Sequence, residues 1–455
     1  MSGNDPRFLP NRRDALRCLG AGAAAPFLPA AQERRPNLII LYADDMGWGD
    51  ASFNGRRDWP MPGLDRLARE GTVFNRWYTA APLCAPSRAC LLTGKYTIHN
   101  GVRNNGDDLP ASEVTLAEAL KPLGYQTALI GKWHHGNRPG GGFTHPLEQG
   151  FDSTYGYLDA RHAWEHFPKE LWRGRSREPA SGFSADILAR EAIEFIRAQR
   201  SAPFFLYVAF IEPHFLIEAP EEDVEKFRGK FAETDPKEPY NARYAAMLVR
   251  MDAAIGRLLR ALDESGQAEN TLVMFSSDNG ATFEPGNKGT SWYHDSNRPF
   301  RGQKRSVEEG GIREPAVVRW PGRVPAGKKS DEVVHMIDVM PTMLAAAGGA
   351  PDPAWKVDGA NMLDVWLGKA PAPDRTVFWE FPWKNYGMYA AMRGDWKLLE
   401  IGGTPFLYNV KLDPQERRTL APAHPDVLKR LQADLRAWQA SEVKRKKRCQ
   451  THFSQ

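Results

Sequence analysis

The sequence predicts an α/β fold: a large, mostly parallel sheet with helices on both faces, followed by a smaller antiparallel sheet with a packing helix. Three observations lead there. From residue 36 onward, short β-rich apolar runs alternate with amphipathic segments of helical period, the pattern of strands joined by crossover helices. Four of the five runs end directly in residues able to do chemistry. After about residue 371 the texture changes to short aromatic runs separated by turn signals such as Arg393-Gly394-Asp395, as in a meander of antiparallel strands.

A chain of 455 residues with 42% apolar content has room for two or three domains and a large core. Its net charge of +4 is spread along the sequence, and without a concentrated basic face no nucleic-acid partner is expected. The four cysteines, Cys18, Cys84, Cys90 and Cys449, lack the paired spacings of zinc sites or a disulfide framework. Each thiol therefore has to be read singly.

In chain order, residues 1–32 come first. Asn11-Arg12-Arg13-Asp14-Ala15-Leu16 precedes a modest run of small and apolar residues over 19–31, the form of a Tat-type export signal. An exported, periplasmic or extracellular protein is expected. The run is short and interrupted by Pro26 and Pro29, so no integral membrane span is expected. Residues 33–370 read as a large α/β domain and 371–455 as a smaller α+β domain with a basic tail.

Strands are predicted over 37–42, 126–130, 203–210, 271–275 and 315–318. The clearest helix is 241–265, where Tyr244, Met247, Leu248, Met251, Ile255, Leu258, Leu259 and Leu262 recur at helical spacing before Gly266. Helices are also predicted over 185–199 and 113–123, and over 333–347 with Pro341 as a kink or break. The smaller domain is read as strands 376–381, 386–392, 396–401 and 406–410 with a closing helix, 426–440. The run Lys444-Arg445-Lys446-Lys447-Arg448 reads as a solvated tail.

The chemistry gathers where strands end. Ligands of open α/β sheets sit outside the carboxyl ends of the strands. Asp44 and Asp45, Lys132 and His134, His214, and Asp278 and Asn279 all follow predicted strands and are therefore expected on one rim. Three carboxylates and an amide oxygen form a hard donor set that favours calcium or magnesium over zinc or copper. The stretch 83–95 reads as a helix that mounts a reactive group at its N-terminus. Pro86 suits the first turn, Gly94 the stop, and Arg88 lies one turn beyond Cys84. Free N–H groups and the helix dipole would there face an anion. Cys90 is expected to be a small buried hydrophobe.

Cys84-Ala85-Pro86-Ser87-Arg88 followed by Leu92-Thr93-Gly94 resembles the signature of the formylglycine-dependent, type I sulfatases of the arylsulfatase type. The resemblance extends to Leu41 through Asp50, Gly131-Lys132-Trp133-His134, Pro213-His214 and Ser277-Asp278-Asn279-Gly280. It continues in Arg301-Gly302-Gln303-Lys304 and Glu309-Gly310-Gly311-Ile312-Arg313, so it covers the chain from about residue 36 onward. It implies an alkaline-phosphatase-like sheet and a sulfuric ester hydrolase whose Cys84 is converted to formylglycine by a maturation enzyme. It further implies Ca2+ on Asp44, Asp45, Asp278, Asn279 and the modified Cys84. Arg88 and Lys132 would hold the formylglycine hydrate, His134 would take a proton from it, and His214 and Lys304 would bind the sulfate ester and assist the leaving oxygen. The stretch Pro213-His214-Phe215-Leu216 lacks the second proline common after this histidine, which bears on the local loop shape.

Arg138-Pro139, His145-Pro146-Leu147 and Gln149-Gly150-Phe151-Asp152 resemble sulfatases acting on arylsulfates and sulfated amino sugars, so a sulfated carbohydrate is the expected substrate. His135, His145, His162, His166 and His294, with Trp164, Trp292 and Tyr293, are candidates for substrate contacts at the rim. Two other readings stay open on the sequence. One is a catalytically silent sulfatase-like protein that binds sulfated ligands; the other is a related metal-dependent phosphoesterase, against which the cysteine signature argues.

Overall fold

The computed structural model describes residues 34–135, 144–198, 201–233, 235–383 and 386–442. The export-signal expectation for 1–32, Arg138-Pro139, Cys18, Cys449 and the basic tail 444–448 lie outside them. In chain order the strands are β1 (Asn37–Asp44), β2 (Thr72–Phe74), β3 (Trp77–Tyr78), β4 (Gln126–Lys132), β5 (Ser153–Tyr157) and β6 (Glu170–Arg173). They continue with β7 (Ser176–Pro179), β8 (Phe204–Pro213), β9 (Thr271–Ser277), β10 (Val317–Arg319), β11 (Lys328–Ser330) and β12 (Val334–His335). The last four are β13 (Thr376–Trp383), β14 (Tyr386–Arg393), β15 (Trp396–Ile401) and β16 (Thr404–Asn409).

Ten strands form the main sheet in the order β11-β2-β10-β9-β1-β8-β4-β5-β6-β7. The contiguous set β9, β1, β8, β4 and β5 is parallel throughout, and it is this set that aligns the strand ends predicted to carry chemistry. The fifth predicted run forms β10, but it is short and antiparallel to β9 and β2. Its chain direction points its C-terminal end away from the rim, and it delivers no residue there. At the far edge, β6 and β7 also turn antiparallel.

β1 is buried along its whole length, and its alternate residues feed two cores. Leu38, Ile40 and Tyr42 join the core that contains residues of the helices Cys84–Thr93 and Val339–Ala346. Ile39, Leu41 and Ala43 join the one that contains residues of the helices Ser184–Arg197 and Tyr240–Glu264. Strands covered on both faces in this way belong to a sheet fed by crossover helices.

Two helix expectations need correcting. The segment expected over 113–123 is a helix only over Leu116–Leu120, starting at a Thr115–Glu118 capping box and tightening into a 3₁₀ turn, Lys121–Leu123; Pro122 lacks the N–H that would continue the α pattern. The segment expected over 333–347 begins as β12 and a 3₁₀ turn, and only Val339–Ala346 is α-helical. Pro341 therefore falls in the first turn, where its missing N–H has no intrahelical partner to lose, so it neither kinks nor breaks the helix.

β13 to β16 form a separate four-stranded antiparallel meander. Ala391, Leu398 and Leu407 pack with Leu431, Leu435 and Trp438 of the helix Pro425–Ala440. The opposite face, with Val377, Trp379, Ala390 and Leu399, packs against Tyr78, Leu83, Val307 and Ile312. Trp379 Nε1 donates to Thr79 O at 2.7 Å. Lys397 Nζ, fully buried, meets Glu309 Oε1 at 2.9 Å and Glu416 Oε1 at 3.0 Å. Among the described residues no helix is long and apolar enough to cross a membrane.

Candidate active site

Parallel neighbours are spaced about 4.8 Å apart, so adjacent strand ends place their next residues in a row. The ends of β9, β1, β8 and β4 present Asp278, Asp44, His214 and Lys132 in this way. Two residues there adopt left-handed backbone conformations rare outside glycine, Asp45 at φ 62° and His134 at φ 65°. Such strain persists only where the surroundings hold it, and it concentrates at functional sites. Gly131, just before Lys132, has φ 116°, and a Cβ there would lie 1.9 Å from Ala209 O. Only glycine lets β4 approach β8 so closely at this point.

The helix Cys84–Thr93 begins at Cys84 and ends on Gly94 in the left-handed region, as expected. Pro86 lies in its first turn. The Ala85 N–H, one of the free donors there, bonds Asn105 Oδ1 at 3.1 Å. Cys84 is wholly buried, and its Sγ lies 3.8 Å from Asp45 Oδ1. Burial pushes the thiol well above its usual range, against the pull of Lys304. As a cysteine the residue is therefore a protonated thiol. Cys90, on the same helix, is buried as expected.

Around Cys84 the nine other predicted site residues converge, and all ten are buried. Lys132 Nζ meets Asp44 Oδ2 at 2.5 Å, and Lys304 Nζ meets Asp45 Oδ2 at 2.9 Å. Arg88 donates from Nη2 and Nε to Asp278 Oδ2 at 2.7 and 3.0 Å. Asn279 Nδ2 donates to Asp45 Oδ1 at 2.7 Å, and the Asp45 N–H reaches Asp278 Oδ1 at 3.0 Å. His214 Nε2 lies 3.6 Å from Asp45 Oδ2, while its Nδ1 is 2.6 Å from Phe215 O. A carbonyl only accepts, so Nδ1 carries the hydrogen. In the neutral ring Nε2 then presents a lone pair toward a carboxylate.

The electrostatics describe a site crowded with acceptors. Burial, then the nearby Asp44 carboxylate, pushes Asp278 up to about 7. Burial alone would raise Asp44 too, but Lys132, His214 and Arg88 hold it well below the usual range. Burial and the adjacent Lys132 and Arg88 keep His134 well below its ordinary value, so the ring is neutral, and neither of its nitrogens has a hydrogen-bond partner. Burial, opposed by Asp45 and Asp44, lowers His214 to about 4.

These residues fit a hard cation. Asp44 Oδ1 and Asn279 Oδ1 are buried oxygens without a hydrogen-bond partner, which are rare and costly unless something binds them. One ligand atom from each of Asp44, Asp45, Cys84 and His214 falls within 4.8 Å of the others. The acceptor face of His214 toward Asp45 is a second contact that a cation relieves. Asp278 lies outside this tightest set, with Oδ2 bound to Arg88.

The sequence reading missed the residues that hold this centre. Tyr207 OH lies 3.3 Å from Arg88 Nη1, Thr79 OH donates to Asp278 O at 2.6 Å, and Glu284 Oε2 lies 3.4 Å from Lys304 Nζ. Most rim candidates prove structural. His135 packs on Trp133, His145 caps a 3₁₀ turn, and His162 packs on Tyr157 and bonds Glu170 O. His294 bonds Asn241 O, and Tyr293 OH accepts the Ala232 N–H. His166 is buried and bonds His214 O at 2.9 Å, so it supports the site from behind. Trp164 lies beside Phe215, and Trp292 is 72% exposed.

The chain is similar to known proteins over most of its length. The family model described as Sulfatase matches residues 36–350, and that of N-sulphoglucosamine sulphohydrolase, C-terminal, matches 301–441. The N-acetylgalactosamine-6-sulfatase of Canis lupus familiaris is 35% identical over 80% of this chain and 71% of its own length. Arylsulfatase A of Homo sapiens is 31% identical over 92% of this chain and 89% of its own. The solved structure of Ps i-CgsB in complex with k-i-k-neocarrahexaose superposes with a TM-score of 0.83 at 29% identity, covering 90% of this chain and 94% of that one.

Proposed function

Because this chain belongs to the sulfatase family and is a sulfuric ester hydrolase, we propose that it acts through a formylglycine made from Cys84 and a calcium ion on Asp44, Asp45, Asp278 and Asn279. The observation that carries this reading is Cys84 itself, wholly buried at a helix N-terminus, 3.8 Å from Asp45 and held as a thiol. A protonated thiol is a poor nucleophile. The hydrated aldehyde of formylglycine supplies an oxygen nucleophile for sulfur and a second hydroxyl through which sulfate can leave. A bound calcium supplies positive charge against the sulfate oxygens.

The remaining work falls to this chain's own side chains. Arg88 fixes Asp278 and Lys132 fixes Asp44, which leaves Asp44 Oδ1 as a buried oxygen without a hydrogen-bond partner. His134 is neutral, with both nitrogens free, so it accepts a proton without first breaking a protein hydrogen bond. Lys304, held charged well above its usual range by Asp45 against burial, offers an ammonium to the departing ester oxygen. His214 stands beside it on the same carboxylate. A sulfate anion seated nearby favours its protonated form, from which it also donates to that oxygen.

The preferred substrate is a carbohydrate sulfate ester, a reading supported by the N-acetylgalactosamine-6-sulfatase relatives and the neocarrahexaose complex. The Arg12-Arg13 segment supports export to the periplasm or beyond, and a formylglycine-generating enzyme is the implied maturation partner. Peptide mass spectrometry of the tryptic segment spanning Cys84, from a host competent for maturation, is expected to show the aldehyde; an intact thiol there overturns the nucleophile. Sulfate release is expected to stop in the presence of a chelator and return with added calcium. Full activity after complete metal removal refutes the ion.

A further inference from the structure

Next to the carboxylate cluster lies a cavity of about 450 Å3 lined in part by Phe283, Glu284, Trp292, Lys304 and Arg305. Lys304 belongs to both places, since its Nζ reaches Asp45 Oδ2 at 2.9 Å and Glu284 Oε2 at 3.4 Å. Trp292 stands 72% exposed, yet its position is fixed. The short helix Thr290–Tyr293 that bears it is pinned by Asn287, whose Oδ1 takes the Ser291 N–H at 2.9 Å and whose Nδ2 donates to Ser291 Oγ at 3.0 Å. Phe283 meets the indole edge-on, with ring centroids 5.1 Å apart. The Arg305 guanidinium in turn lies 5.8 Å over the ring of Trp383, which is 46% exposed. One exposed ring needs no explanation. An exposed tryptophan lining the cavity that Lys304 shares with the carboxylate cluster does.

The charges of the lining are mutually engaged. Arg305 donates from Nε and Nη2 to Glu284 Oε1 at 3.0 and 2.6 Å, and Glu308 takes Arg301 Nε at 2.9 Å. Burial would raise the Glu284 carboxyl, but Lys304 and Arg305 hold it at about 2, so it remains an anion. A second sulfate or a uronate placed here would face Glu284 and Glu308 with no cation left over among the described lining residues. An uncharged sugar suits both features, since its C–H face stacks on indole and its hydroxyls bond fixed polar groups.

We propose that this cavity seats the ring bearing the scissile ester, a pyranose uncharged apart from the sulfate being removed, stacked on Trp292. The inference rests on the sulfatase reading and adds the leaving group's identity to it. Its test is sulfate release from a monosulfated disaccharide of neutral hexoses and from a disulfated counterpart, by wild type, Trp292→Ala and Trp292→Phe. The wild type should favour the monosulfated sugar. Stacking acts on ground and transition states alike, so Trp292→Ala should raise KM about tenfold and leave kcat within about twofold; Trp292→Phe, which keeps a ring, should recover most of the loss. An unchanged KM in Trp292→Ala, a fall in kcat alone, or a wild-type preference for the disulfated sugar overturns the proposal. A wild type that releases no sulfate from any ester sinks the parent reading, and this one with it.

Discussion

His134 and His166 are both buried, and they predict opposite behaviour on substitution. His134 makes no hydrogen bond that its loss would break. His134→Gln is therefore expected to lower kcat by about 10²–10⁴-fold, the usual worth of a positioned proton acceptor, with a thermal midpoint near wild type. His166 reaches His214 O through Nε2, and its Nδ1 lies 3.7 Å from Glu212 Oε1. His166→Ala leaves a buried carbonyl without its donor, which costs about 1–3 kcal/mol. Thermal melts and steady-state kinetics on the two variants separate a residue that reacts from one that supports.

At the scale of elements, the parallel set β9-β1-β8-β4 decides which residues meet. Asp44, Asp45, Lys132, His134, His214, Asp278 and Asn279 were legible because they sit at or just past strand ends, and a parallel sheet turns that position into a place; Cys84, Arg88 and Lys304 were legible through the motifs that carry the resemblance. Tyr207 and Thr79 carried no such mark, because a tyrosine inside an apolar strand reads as core until the helix bearing Arg88 packs over it. His166 was misjudged for a related reason. Its loop folds beneath the end of β8, and the contact depends on packing that sequence spacing does not encode. Gly131 tests the importance of the alignment itself. Gly131→Ala places a methyl 1.9 Å from Ala209 O and is expected to lower both thermal midpoint and activity together, because the end of β4 must move and Lys132 with it. A variant with wild-type kinetics would contradict this.

Across the whole molecule, the join between the α/β body and the C-terminal meander is ionic at its centre. Lys397 on β15 faces both Glu309 and Glu416. Two carboxylates sharing one ammonium cannot both ionise cheaply, and burial, opposed by Lys397, leaves Glu416 raised to about 7. The sign follows from linkage. The folded protein binds this proton more tightly than the unfolded chain, so the contribution to stability is complete below about pH 4.5 and is lost as pH rises through about 7. Its size is about 3 kcal/mol. Unfolding curves recorded across that window should be flatter for Glu416→Gln than for wild type. Lys397→Met should be less stable than wild type near pH 7, because Glu309 and Glu416 lose the ammonium between them, although Arg313 and Tyr78 still partner Glu309 Oε2. None of this was visible in the sequence, where Lys397 is one of two charges in a short strand, with Glu400, and its partners lie 88 residues before it and on a later turn.

The complete burial of Cys84 also sets a timetable. Because Cys84 has 0% exposure in the folded chain, the conversion to formylglycine proposed above is expected to run ahead of folding. The Arg88–Asp278 contact that ties this helix to the end of β9 joins residues 190 apart in the chain, so it cannot form until the later residue has been synthesised. That delay is the interval in which Cys84 stays accessible. The fraction of molecules converted is then a race between two rates, and conditions that hasten folding should lower it without changing a single contact of the finished protein.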